Sequence, residues 1–202
     1  MFDLQQVVNT PTGNASSLYC KRKLATYNLT FFDQVSHEDT CYVWHEFEER
    51  RGSCKIETCI MRYLQCLPEE IKEVALFSDS CIGQNQNKNV AAGLFHVVQT
   101  SSSLHTIDHK VLLSGHTEME VDSMLYSCIE RAKKGRVIHH PDQWQGVMQM
   151  ARRKKPYVIN SVPGIEFLDL KDLSQRLFPS GANRDTTGKT VSWLSVRQIR
   201  VQ

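Results

Sequence analysis

The chain lacks the features that mark membrane, secreted and low-complexity proteins. Its longest apolar stretch, Val90 to Val98, already contains a glycine and a histidine, and a membrane-spanning helix needs roughly 20 apolar residues. The first residues have neither the basic nor the apolar region of a signal peptide. Only 10 glycines and 6 prolines occur among 202 residues, which excludes collagen-like chains. We therefore expect a globular nuclear or cytoplasmic protein that is not secreted and has no membrane partner.

Paired cysteines and an excess of one charge are also lacking. The seven cysteines are odd in number and show no C-x-x-C spacing, which argues against a zinc site and predicts reduced thiols. The heptad spacing of Cys59 and Cys66 places both in the core of a predicted helix. Lys and Arg total 24 against 22 Asp and Glu, so the net charge of +2 indicates no class of partner by itself.

The order of the predicted elements favours an α/β fold. Hydrophobic periodicity predicts strands over 24–35, 41–47, 73–78, 107–113, 157–162 and 191–201, and helices over 53–67, 88–99, about 121–132 and 141–150. The first two strands form a predicted hairpin, and Ser53 is the predicted N-cap of the first helix. Since helices and strands then alternate, the pattern predicts a mixed sheet covered by helices.

Carboxylates follow the predicted strands at three places. Asp3 follows a first short strand, Asp79 ends strand 73–78, and an acidic cluster of Glu118, Glu120 and Asp122 comes after strand 107–113. Ligands of α/β sheets favour the carboxyl ends of strands, and clustered carboxylates suit Mg²⁺ or Mn²⁺. Two such ions about 4 Å apart can promote phosphodiester chemistry. The sequence therefore predicts a site for two Mg²⁺ or Mn²⁺ ions.

Several of these acids also have a structural interpretation. The side chain of Asp79 can simply cap the loop that follows it. Thr117 to Glu120 matches a T-x-x-E capping box, which would engage Glu120 in starting its own helix. Glu118 and Asp122 are four residues apart and share a helix face. We take Asp122 as the third ligand, with Glu118 as the alternate.

Three motifs carry a resemblance to a known family. They are Asp3-Leu4-Gln5-Gln6, the loop SDSCIGQNQN at 78–87, and Gly115-His116-Thr117 with the downstream pairs Asp122-Ser123 and Ile129-Glu130. Together they resemble a domain family found in transposon-derived eukaryotic proteins, with the core S-D-S-C-G-G-Q-N-x-N, G-H-T/S, D-S and I-E. That family is similar to the ribonuclease H-like transposase and integrase superfamily.

The resemblance implies a fold, an activity and a site. The fold would be a ribonuclease H-like mixed sheet, an antiparallel hairpin followed by alternating helices and strands, with a small C-terminal α+β extension. The activity would be that of a Mg²⁺-dependent nuclease or strand transferase acting on DNA. Asp3, Asp79 and Asp122 would bind the metal ions, with His116, Glu118 and Glu120 as supporting or alternate residues.

The predicted elements become less regular after Gly135, which predicts a division of the chain into two parts. Residues 1–136 would form the catalytic core, with a truncated first strand because Asp3 lies two residues from the start, and residues 137–202 would form a basic extension packed on it.

Two polar segments are candidates for nucleic-acid contact. The loop offers Gln84, Asn85, Asn87 and Lys88, whose amides and ammonium group suit phosphate or base edges. A basic segment can follow a phosphate backbone, and its residues are Lys133, Lys134, Arg136, Arg152, Arg153, Lys154 and Lys155. The alternative to an enzyme is an inactive, domesticated module of the same fold that binds nucleic acid or protein. DNA is the expected partner, and the oligomeric state is left open, with a homo-oligomer as one possibility.

One motif for nucleotide binding fails. The segment 181–190, GANRDTTGKT, ends like a P-loop, but six residues separate its glycines where four are needed. We therefore expect no nucleotide cofactor.

Overall fold

The structure is a computed structural model that describes residues 1–13, 22–81, 83–112, 129–131, 134–179 and 184–202. It divides into two compact units, the first formed by Met1–Arg51 with Glu118–Glu166 and the second by Gly52–Thr117 with Phe167–Gln202. Each unit thus combines two separate segments of the sequence. The domain boundary between 136 and 137 stays a prediction.

Helices and strands alternate along much of the described chain. In order, the elements are β1 (Phe2–Leu4), β2 (Val8–Thr10), β3 (Leu24–Phe32), β4 (Asp39–His45), α1 (Ser53–Gln65), β5 (Glu73–Ser78), α2 (Lys88–Thr100), β6 (Thr106–Val111), α3 (Gln143–Met150), β7 (Val158–Ser161), α4 (Leu170–Leu177) and β8 (Gln198–Val201), with short 3₁₀ turns at Gly164–Glu166 and Trp193–Ser195. The mixed α/β class is confirmed. The ribonuclease H-like arrangement stays a prediction, since the described strands lie in two sheets.

The first unit is built on a five-stranded sheet. Its strands run in the order β1-β3-β4-β7, and β2 also pairs with β3. The predicted hairpin is confirmed, because β3 and β4 pair antiparallel from Thr26↔His45 to Phe32↔Asp39. Helix α3 contributes the buried Trp144, whose indole N–H donates to Thr10 Oγ1 at 3.0 Å. That bond fixes the helix against strand β2.

The second unit is built on a three-stranded sheet of order β5-β6-β8, in which β5 and β6 are parallel and β8 is antiparallel to β6. Helices α1 and α2 contact each other, and α2 contacts α4 and the sheet. Ile56, Ile60 and Leu64 of α1 are buried at the helical spacing that the sequence predicts. Asn87 caps α2, because its Oδ1 accepts from the backbone N–H groups of Asn89 and Val90.

Three sequence predictions are corrected in the second unit. Gly52, not Ser53, is the N-cap of α1, and the Ser53 hydroxyl instead accepts from Asn89 Nδ2 at 2.8 Å. The predicted strand 191–201 is a 3₁₀ turn followed by β8, which begins only at Gln198. Cys66 is exposed because α1 ends at Gln65, whereas Cys59 is buried as expected. The predicted helix 121–132 lies largely outside the described residues.

No helix in the described ranges is both long enough and apolar enough to cross a membrane.

Candidate functional site

Asp79 stands at the carboxyl end of β5, directly after Ser78. Its Oδ1 accepts hydrogen bonds from Asn85 Nδ2 at 2.5 Å and from the Cys81 backbone N–H at 3.3 Å. Among the described residues no donor contacts Oδ2. Asp79 itself is half-buried. The loop therefore orients the carboxylate through one oxygen and leaves the other open.

Two asparagines of the loop hold its backbone in place. Asn85 is buried, and its backbone N–H donates to Cys81 O at 2.7 Å. Asn87 caps α2 and donates through Nδ2 to Gln84 O at 3.2 Å. Asn85 and Asn87 thus have structural roles in the loop. Gln84 and Lys88 are half-buried, and nucleic-acid contact by this loop stays a prediction.

A buried serine–histidine pair lies behind Asp79. Ser78 Oγ is 2.9 Å from His109 Nε2, and the same hydroxyl donates to Asp79 O at 3.1 Å. Both side chains are fully buried, and burial lowers the pKa of His109 to about 4, so the imidazole is neutral at pH 7. The pair fixes the carboxyl end of β5 against β6. Sequence reasoning missed this pair. The signal was the period of two in the strand, which places His109 on the same buried face as Ile107 and Val111.

Asp3 lies within β1, opposite Thr30 of β3, and not after the strand as predicted. It is half-buried, and one of its oxygens accepts from Gln5 Nε2 at 3.4 Å. Asp3 belongs to the first unit and Asp79 to the second.

The remaining predicted members of the site are His116, Glu118, Glu120 and Asp122, and they lie outside the described residues. Within the described ranges, no group of three or more His, Cys, Asp or Glu side chains is close enough to share a metal ion. The open oxygen of Asp79 is the hard oxygen ligand that Mg²⁺ prefers, so this residue fits a metal site. The three-carboxylate site as a whole stays a prediction.

Arg152 has a structural role in the basic segment. Its guanidinium pairs with the buried carboxylate of Asp39 at 2.7 Å and stacks 4.6 Å from the centre of the Tyr157 ring. Burial raises the pKa of Asp39, although Arg152 acts in the opposite direction. Arg152 Nε also donates to Lys155 O at 2.6 Å, and Lys155 Nζ donates to Ser36 O at 3.1 Å. These contacts shape the turn after α3.

The other basic residues of the described segment face solvent. Arg153 and Lys154 are exposed at the tip of the turn that Arg152 holds. Lys134 and Arg136 are exposed as well, and the Arg136 guanidinium contacts Met150 Sδ at 3.7 Å. Lys133 lies outside the described residues. Solvent-facing cations fixed on a turn can contact a phosphate backbone.

No protein-family profile, curated protein or solved structure matches the chain.

Proposed function

We propose that the chain is a transposase-derived, ribonuclease H-like domain that cuts or joins DNA phosphodiesters with Mg²⁺ or Mn²⁺. The observation that carries the proposal is the placement of Asp79 at the carboxyl end of a parallel strand, with Oδ1 held by the loop and Oδ2 without a donor among the described residues. In a loop used only as a cap, this second oxygen of the half-buried side chain would be solvated by water. In a metal site it would be the ligand atom.

In this role Oδ2 of Asp79 would hold the cation, and the hydrogen bond from Asn85 would keep the carboxylate from rotating away. Asp3 and Asp122 complete the set of ligands by the family resemblance, with Glu118 and Glu120 as alternates. A bound pair of divalent ions supplies activation of the attacking oxygen and stabilisation of the leaving one. The nucleophile is water in strand cleavage or a 3′-hydroxyl in strand transfer.

The test is nicking of supercoiled plasmid DNA in Mg²⁺ and in Mn²⁺. We expect Asp79→Asn to abolish nicking while the thermal unfolding midpoint stays unchanged, because the amide keeps the size of the side chain but not its charge. Asp172→Asn is the matched control, since Asp172 is an exposed acid of the same unit that pairs with Arg176 on α4. An Asp79→Asn protein that nicks as fast as the wild type would overturn the proposal.

The second candidate is a non-catalytic module that binds nucleic acid. It is favoured by one observation, the exposed pair Arg153 and Lys154 on a turn fixed by the ion pair of Arg152 with Asp39. It predicts duplex DNA binding that persists in EDTA and weakens with salt, without nicking. The double substitution of Arg153 and Lys154 by Ala should reduce the salt slope by about two phosphate contacts. Lys171→Ala, on the exposed side of α4, is the control.

A further inference from the structure

The sheet of the second unit has an open edge along β8. In the described part of the chain β8 pairs on one side only, with β6. Val111 N donates to Arg197 O at 2.9 Å, one residue beyond the last strand pair, Lys110↔Gln198. Val111 and Arg197 therefore form a hydrogen-bonded pair, and such pairs alternate with non-hydrogen-bonded ones in an antiparallel ladder.

The alternation determines which backbone groups face outwards. Ile199, like Arg197, is in a hydrogen-bonded position, so its backbone N–H and C=O groups face β6. Gln198 and Arg200 occupy the non-hydrogen-bonded positions between them. The N–H and C=O groups of Gln198 and Arg200 therefore point away from β6. Such an edge can pair with another strand.

An apolar cavity of about 520 Å³ runs along this edge. All four residues of β8 line it, together with Ala91, Phe95, Leu177, Phe178, Trp193 and Val196. The rings of Phe178 and Trp193 meet edge to face, with their centroids 5.9 Å apart. A cavity of this size and composition is typical of a ligand site. Because it borders unpaired backbone groups, it favours an occupant that brings its own backbone.

The wall of this groove is fixed from within. Gln86 is buried, and its Nε2 donates to Val196 O at 2.6 Å and to Leu194 O at 3.4 Å. These bonds hold the turn that carries Trp193 just ahead of β8. A site arranged before binding loses less conformational entropy when its ligand arrives.

We propose that β8 accepts an extended segment of a partner protein as an added strand, a function separate from phosphodiester chemistry. The segment has apolar side chains at every second position, which fill the cavity, and acidic side chains between them. Backbone bonds to Gln198 and Arg200 supply affinity, and the cavity supplies specificity for the apolar positions.

The charges beside β8 favour acidic residues in the partner. Gln198 and Arg200 share one face of the sheet with Asp108 and Lys110, as their strand pairing shows. The charged side chain of β8 on that face is Arg200, which stays more than half exposed although it pairs with Asp108 at 2.9 Å, while Glu73 and Lys110 lie on the other two strands. A carboxylate at the neighbouring position of an added strand therefore meets the guanidinium of Arg200, which has further N–H donors. A second copy of β8 would instead bring Arg197 and Arg200, so like charges disfavour self-pairing.

The first experiment compares two fluorescein-labelled peptides by fluorescence anisotropy with the full chain. One alternates acidic and apolar residues, Glu-Val-Glu-Phe-Glu-Val-Glu, and the other has the same composition in blocks, Glu-Glu-Glu-Glu-Val-Phe-Val. We expect the alternating peptide to bind at least about tenfold more tightly, since only it presents one apolar and one acidic face as a strand. Equal affinities for the two peptides, or no binding of the alternating one, would overturn the proposal.

The second experiment places the peptide on β8. Gln198→Pro removes an outward N–H and blocks the edge, and Gln198→Ala keeps that N–H. We expect the proline variant to weaken binding at least about tenfold and the alanine variant to bind within about twofold of the wild type. Equal affinities of the two variants would contradict β8 as the site. A wild-type dimer that Gln198→Pro dissociates would assign the edge to a second copy and overturn the proposed partner. If the proline variant unfolds, the affinities of the two peptides for the wild-type chain still test the proposal.

Discussion

The amide of Asn85 donates to the carboxylate of Asp79 across 2.5 Å, from a side chain that is itself buried within the loop. This bond joins the fold of the loop to the orientation of the proposed metal ligand. A carboxylate held by a fixed donor stays oriented, whereas a free one rotates.

Asn85→Ala should therefore lower Mn²⁺ affinity by roughly tenfold or more, because removal of such a supporting partner typically costs that much. Titration calorimetry with Mn²⁺ measures it. Gln84→Ala is the control, since none of the described hydrogen bonds to Asp79 comes from the side chain of this loop neighbour. If Asn85→Ala binds Mn²⁺ as tightly as the wild type, Asn85 has no role in positioning Asp79.

His109 should make the protein less stable in acid. Its pKa lies at about 4 in the folded protein because it is buried, against 6.5 when exposed. The unfolded chain therefore binds a proton first as the pH falls, and folding is favoured fully above pH 6.5 and less so down to pH 4. The loss of unfolding free energy amounts to about 3 kcal/mol over this range.

His109→Gln should reduce that loss, because glutamine does not titrate and can still bond Ser78. Urea unfolding at pH 6.5 and pH 4.5 measures the difference. His105→Gln, at an exposed histidine just before β6, should behave as the wild type. An acid dependence that is unchanged in His109→Gln would show that another group is responsible.

Glu57 of α1 should destabilise the protein as the pH rises. It is fully buried, and neither carboxyl oxygen has a hydrogen-bond partner among the described residues. Burial raises the pKa of Glu57 well above 4.5. The folded protein therefore holds this proton longer than the unfolded chain, so the favourable contribution is complete below pH 4.5 and is lost as the pH rises through the folded pKa.

Glu57→Gln should remove this dependence and become more stable relative to the wild type as the pH increases. Denaturant unfolding at pH 5 and pH 8 measures it, with Glu70→Gln as an exposed control. A variant whose stability relative to the wild type does not change with pH would contradict the burial of an ionisable Glu57.

Gly93 of α2 leaves the space that Glu57 fills. A Cβ at Gly93 would overlap the Cγ and the carboxyl group of Glu57. Gly93→Ala should therefore lower stability by about 1–3 kcal/mol, the usual effect of overpacking. In a Glu57→Ala background the same change should raise stability by about 0.5–1 kcal/mol, since Ala favours a helix more than Gly. Thermal unfolding of the wild type, the two single variants and the double variant measures the sign of the stability change in each background. Destabilisation of equal size in both backgrounds would refute this packing.

The sequence predicts those elements that local periodicity determines. Strand β5 runs over Glu73–Ser78, the bounds of the predicted apolar run, and α2 begins at Lys88 as expected. Helix α1 follows its apolar spacing. The same spacing contains a signal that was overlooked, because Glu57 lies three and four residues before Ile60 and Met61 and therefore shares their buried face.

Contacts between distant segments could not be predicted. The segment 191–201 is not one continuous strand as predicted. Gln86, far away in the sequence, binds the carbonyl groups of Leu194 and Val196 and holds a turn there. In the sequence Arg152 is one of four consecutive basic residues, which predicts a solvent-facing cation. In the structure it pairs with Asp39 of the hairpin. Periodicity reports which face of an element is buried, but not which residue from elsewhere will meet it.

The position of Asp79 at a strand end was predictable from sequence, and its orientation was not. The apolar run before Asp79 indicates a strand, and the polar loop after it indicates a turn. That Asn85 would hold one oxygen and leave the other open depends on how the loop folds, since amide side chains have several local partners within reach.

The most direct test of the account is a crystal soaked in Mn²⁺, with anomalous scattering used to locate the metal. The account predicts anomalous density at Oδ2 of Asp79, shared with Asp3 and Asp122, and its loss in Asp79→Asn crystals. Density that lies against Glu118 or Glu120 in place of Asp122 would change the third ligand and leave the mechanism intact. A well-ordered Asp79 with no metal beside it would contradict the central claim and favour the non-catalytic binding module.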